Sequence, residues 1–169
     1  MYAKISTDPQ AIAKRVARNN KRFQKLSPEK QRVAIARDAL SQLKAKRLFP
    51  VKGIYMETDY ATTVLSAEKC SVCALGGLFC GLVDNTENQS PVYSGRAIRN
   101  QLNPYFSERQ LSEIESAYEM SPCYWDEDEE VLVAAVNHFK AGTPHEARLQ
   151  AILGNIIRNK GTFVPRKVK

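Results

Sequence analysis

Four cysteines and two histidines are the residues of this 169-residue chain best able to do covalent or metal chemistry. Three of the cysteines, Cys70, Cys73 and Cys80, lie in one short apolar stretch, with Cys123 further on. Cys70-x2-Cys73 has the spacing of a zinc-binding pair. Zinc knuckles present their thiolates from a turn, whereas the run Cys70 to Val83 reads as a buried helix. On such a helix the three thiols share a face, yet a rigid rod does not easily wrap them around one ion. No second CxxC exists, and His138 and His145 have no metal-like spacing. A free cysteine packs well as a small hydrophobe, so core packing is the preferred role and no metal is assigned.

A cysteine hydrolase would place Cys73 near a helix start, with His138 or His145 as base. Such a nucleophile needs a helix N-terminus or a nearby cation to stabilise its thiolate. Lys69 is close in sequence, but the apolar surroundings favour the neutral thiol. His145 fits the first turn of a capped helix, and His138 the last turn of the helix before it. No catalytic residue and no cofactor is therefore assigned. Gly76-Gly77 lacks the surrounding pattern of a phosphate loop and reads as a place where a neighbouring helix comes close. The acidic run Asp126 to Glu130 has no EF-hand spacing.

Non-covalent chemistry is better supported. Residues 1–50 hold 13 Lys/Arg against 3 Asp/Glu, while the rest hold 12 against 15. From Pro9 to Lys25 the apolar Ile12, Val16 and Phe23 share one side of a helix. Lys14, Arg15, Arg18, Lys21, Arg22 and Lys25 share the other. A cationic face of this kind suits an acidic protein, a nucleic acid or an anionic surface. No aromatic lies on it to stack a base, because Phe23 falls on the apolar side. A helix-turn-helix is not supported either: the turn Lys25-Leu26-Ser27-Pro28 lacks glycine, and the first helix, not the second, carries the clean basic face.

The elements that must position these residues are read from caps and periodicity. Thr7-Asp8-Pro9 opens the basic helix, and Leu26-Ser27-Pro28-Glu29 opens a second with the stripe Val33, Ala36, Leu40 and Leu43. Ile54 to Glu57 can be extended but has no obvious strand partner, which allows at most a small hairpin. Asp84 to Ser94 is loop, and a short helix spans Gly95 to Leu102. Ser107 with Gln110 forms a capping box, and Phe106 with Leu111 a hydrophobic staple, ahead of a helix burying Leu111, Ile114 and Tyr118. The acidic run opens the next helix, to about Lys140, where the positive end of the helix dipole favours it. Thr143-Pro144-His145-Glu146 caps a last helix with Leu149, Ile152, Leu153, Ile156 and Ile157 inward.

The expected fold is therefore all-α, a single bundle of six or seven helices with at most a small β-hairpin. Residues 1–26 form a basic amphipathic arm, residues 27–165 the globular domain, and residues 166–169 a basic tail. The body is expected to fold without the arm. No apolar run reaches the roughly 18 residues needed to cross a bilayer, and Met1 is followed by no signal-peptide core. A cytoplasmic protein with reduced thiols and no membrane partner is expected.

Cys73-Ala74-Leu75-Gly76-Gly77-Leu78-Phe79 is a recognisable string. Together with Asn103-Pro104-Tyr105-Phe106-Ser107-Glu108-Arg109-Gln110-Leu111 and Ile156 to Pro165, it resembles a group of small phage and prophage proteins of unassigned function. The resemblance covers about Ser27 to Pro165 and implies a genomic setting, the host bacterial cytoplasm, without a mechanism. Charge and resemblance together lead to a non-enzymatic binding protein that modulates a host macromolecular complex, such as a defence or transcription system. Its partner would be an acidic host protein or a protein–nucleic-acid complex. A small nucleic-acid-binding protein is the alternative, and a Cys-dependent hydrolase or zinc protein the second alternative.

Overall fold

The computed structural model describes residues 8–59, 63–86, 94–126, 129–135 and 138–166. Among them are six helices: α1 (Pro9–Phe23), α2 (Pro28–Lys44), α3 (Ala74–Asn85), α4 (Gly95–Leu102), α5 (Glu108–Glu119) and α6 (His145–Arg158). Five short strands accompany them: β1 (Leu48–Pro50), β2 (Met56–Thr58), β3 (Cys70–Val72), β4 (Cys123–Asp126) and β5 (Val131–Ala134). The all-α expectation is thus corrected to a mixed α/β fold. One sheet runs in the order β1-β3-β2, and β4 and β5 form a separate hairpin.

The apolar run that reads as one central helix is two elements. Cys70 to Val72 is the middle strand of the three-stranded sheet, parallel to β1 and antiparallel to β2. Cys73 is the N-cap of α3, which begins one residue later. A three-residue strand with both ends buried runs directly into a helix buried all round, and so short a strand cannot be separated from the helix by periodicity. Of the segment Ile54 to Glu57, which shows no strand partner in the sequence, Met56 and Glu57 lie in β2 and pair with β3.

All of α3 is buried, and α1, α2, α4, α5 and α6 pack around it. Its glycines set two close approaches. A methyl group on Gly76 would lie 1.7 Å from the Tyr55 carbonyl oxygen, and one on Gly81 would lie 2.2 Å from that of Ile35 in α2. The helix-to-helix approach expected at Gly76-Gly77 therefore occurs at Gly81. Gly76 instead admits the chain leading into β2.

Capping follows the sequence in part. Asp8 accepts the Ala11 N–H at 2.7 Å, and Ser107 accepts the Gln110 N–H at 3.3 Å above a buried Phe106 and Leu111. The capping box is only half made, because the Gln110 side chain bonds the Phe163 backbone instead. At α6 the N-cap is Pro144, and Thr143 instead donates its hydroxyl to the Lys140 carbonyl at 2.8 Å. The buried stripe of α2 is Ile35, Ala36, Ala39, Gln42 and Leu43, rotated from the expected one so that Val33 and Leu40 are only half-buried. The cause is polar. Gln42 turns inward to donate to the Cys80 carbonyl at 3.1 Å and to accept from buried Arg47, whose Nε bonds the Ala67 carbonyl at 3.0 Å. Arg47 also bonds the Val64 carbonyl, pinning the segment before β3 to the end of α2.

The helix expected from Asp126 to Lys140 is absent. In its place Tyr124 faces Val133 and Trp125 faces Leu132 across the β4–β5 hairpin. Cys-Tyr-Trp and Val-Leu-Val are strand-forming sequences, and here β propensity outweighs helix-start charge. Residues 127 and 128 of the acidic run, 136 and 137 of that expected helix, 87 to 93 of the expected loop, and 167 to 169 of the tail lie outside the described residues.

Candidate binding surface

α1 is seated by its apolar stripe: Ile12, Val16 and Phe23 are buried and belong to the same core cluster as α2, α3 and α6. This leaves Lys14, Arg18, Lys21, Arg22 and Lys25 exposed. Arg15 differs. It sits at the margin of the buried stripe, and its guanidinium lies 2.8 Å from the Asp84 carboxylate at the end of α3. Asn19 donates to the Asp84 carbonyl at 3.0 Å. Five of the six predicted cations therefore form an open face, and Arg15 anchors the helix that carries them.

The open face runs into a groove of about 620 Å³ between the end of α1, α2 and the end of α6. Its apolar lining is Phe23, Leu26, Val33, Ala34 and Ile157, all buried or half-buried. Its exposed cations are Arg22, Lys30, Arg37 and Lys160. Lys30, Val33, Ala34 and Arg37 fall at i, i+3, i+4 and i+7, so one face of α2 gives the groove both its grease and its charge. Gln31 donates to the Phe23 carbonyl at 3.2 Å and holds the end of α1 against α2.

Two carboxylates share the groove. Glu29 is exposed, whereas burial pushes the Asp38 carboxyl up to about 6, with Asp84 adding to the effect against a hydrogen bond from Asn85 and the charges of Arg15 and Arg22. Unfolded, Asp38 titrates near 3.8. Between those values the folded chain binds more protons than the unfolded one, so stability falls as pH rises from about 4 to 6 and stays lowered above it. Asp38→Asn keeps the acceptor for Asn85 and removes the buried charge. The variant is expected to gain about 1–3 kcal/mol at pH 8 and about nothing at pH 3, read from urea melts at both pH values. Equal gains at both would show that Asp38 is not the titrating group.

The cysteine cluster takes a different form from the one expected. Cys70 and Cys73 are on a strand and a helix cap, so the shared helical face does not exist. Cys73 makes no side-chain cap hydrogen bond at the start of α3, and burial, opposed by the nearby Gly76 and Leu75 N–H groups and helped by Glu115 and Glu119, pushes its thiol up to about 11. This holds the proton on sulfur at neutral pH. His138 accepts the Arg166 N–H at 3.0 Å beside Phe139, and His145 lies against the Tyr118 ring at 5.6 Å. No hydrogen bond joins either histidine to Cys73 among the described residues. Cys70, Cys80 and Met56 bring their sulfurs together in the core. Among the described residues no three His, Cys, Asp or Glu side chains are placed to hold a metal ion.

No helix of the described residues is long and apolar enough to cross a membrane. No family model, curated protein or solved structure matches this chain. The surface itself is then the ground for a functional reading. Lys30, Arg37 and Lys160 were not singled out from the sequence. The spacing of Lys30 and Arg37 around Val33 and Ala34 was the available signal, hidden because Val33 was counted with the core.

Proposed function

We propose that this chain is a non-enzymatic binding protein that holds an acidic, partly apolar segment of a partner protein in the groove and against the exposed face of α1. The observation that carries the reading is the pairing of an apolar lining with the four cations Arg22, Lys30, Arg37 and Lys160. A groove for phosphates alone has no use for that lining, and Glu29 and Asp38 within it repel a uniformly anionic strand. In the phage setting that the sequence resemblance implies, the partner is a component of a host complex whose activity the bound chain alters.

Titration of the chain against two labelled probes tests the reading. One is a short peptide of Glu, Leu and Trp, the other a short duplex DNA, both at physiological salt. The peptide is expected to bind at least tenfold more tightly than the duplex, a difference of about 1.4 kcal/mol. Tighter binding of the duplex, with a log–log salt slope of about 0.9 per phosphate contact, would transfer the surface to nucleic acid.

A further inference from the structure

The β4–β5 hairpin is held on its own chain by its inner face. Tyr124 donates to Glu113 of α5 at 3.4 Å, and the Asp126 carboxylate is buried with the Arg109 guanidinium 3.9 Å away. The outer face is uncovered. Trp125 and Leu132 stand directly opposite each other and are 53% and 65% exposed. Val131 is 44% exposed, so three of the five large hydrophobics exposed among the described residues are on this one hairpin. Glu129 and Glu130, beside them in sequence, are exposed as well.

Apolar side chains flanked by carboxylates are the chemical complement of an apolar groove flanked by cations. Both surfaces are open in the same chain: the hairpin packs on α5, and the groove is bounded by α1, α2 and α6. We propose that the groove accepts the β4–β5 hairpin of a second copy of this chain, so that copies associate head to tail. This occupant rests on the reading of the groove as a seat for an acidic, partly apolar segment. Trp125 is the anchor, entering the lining formed by Leu26, Val33 and Ile157, because a large rigid aromatic buries much area at low entropic cost. Glu129 and Glu130 meet the exposed cations at the rim, which sets orientation more than affinity. The contact joins two different patches, so each pair leaves one groove and one hairpin free. Self-association then covers the surface a partner needs, and a partner with the same chemistry displaces the second copy.

Sedimentation of the full chain from micromolar to near-millimolar concentration tests this. The wild-type mass is expected to rise with concentration. A hairpin variant, Trp125→Ser with Leu132→Ser, and a groove variant, Lys30→Glu with Arg37→Glu, should each stay monomeric when alone. All four positions are exposed, and circular dichroism checks that both variants keep the fold. An equimolar mixture of the two should form a one-to-one pair, since one contributes an intact groove and the other an intact hairpin. On the unmodified chain, excess Glu/Leu/Trp peptide should dissociate the assembly. A wild type that stays monomeric throughout, or one whose association survives the groove substitutions, would overturn the head-to-tail contact. If that monomeric wild type still bound the acidic peptide, the groove reading would stand and only this occupant would fall.

Discussion

Gly76→Ala and Gly81→Ala are each expected to lower stability by about 3 kcal/mol or more, while Gly77→Ala, between them, changes it by no more than about 1. Overpacking a core typically costs about 1–3 kcal/mol when side chains can shift. At Gly76 and Gly81 the nearest atoms are backbone carbonyl oxygens, at 1.7 Å and 2.2 Å from the added carbon, and these cannot rotate away. The Tyr55 carbonyl also accepts the Cys73 N–H at 3.3 Å, so a methyl at Gly76 displaces a bond that seats the start of α3. Around Gly77 the nearest atoms are the Leu149 methyl carbons at 3.4 Å, an ordinary contact. There alanine gains roughly 0.5–1 kcal/mol of helix propensity. At roughly 2–4 °C per kcal/mol for a chain of this size, the first two variants should melt at least about 6 °C lower and Gly77→Ala close to wild type. Equal tolerance at all three positions would show that α3 does not lie this close to Tyr55 and Ile35.

Removal of residues 1–25 is expected to destabilise the body, the opposite of what the narrow apolar stripe implied. Ile12, Val16 and Phe23 are 7%, 3% and 1% exposed, and each fully buried large side chain contributes about 1.5–3 kcal/mol. Against a total stability of about 5–15 kcal/mol, losing all three is a large fraction. The deletion also strips Arg15 from Asp84, whose carboxylate is only 12% exposed, and leaves that charge without its cation. The truncated chain should show a lowered, broadened thermal transition. Phe23→Ala alone should cost about 3–5 kcal/mol. A truncation that melts as the full chain does would restore the picture of a dispensable arm.

The parts of the fold legible in the sequence were those with local signatures. Asp8 and Ser107 capped the helices they were expected to cap, and the buried faces of α1, α5 and α6 followed their 3.6-residue periods, except that Ile157 of α6 is half-buried and lines the groove. The strands were not legible because their reasons are long-range. Three residues are too few for alternation to show, and Cys70 to Val72 becomes a strand only because β1 and β2 flank it. The hairpin was hidden by an acidic run that also suits a helix start. For the surface, five cations of α1 were legible, and Arg15 was not separable from them: a helical wheel places it beside them and cannot see Asp84, 69 positions away in sequence. The groove was missed because its apolar lining comes from α1, α2 and α6 together, and each contribution alone looked like core.

The most direct test of the central claim is the peptide titration repeated on Lys30→Glu with Arg37→Glu, at physiological salt and a concentration where the variant is monomeric. Groove binding predicts affinity at least tenfold weaker than wild type, with the circular dichroism spectrum unchanged. Wild-type affinity in this variant would contradict the account.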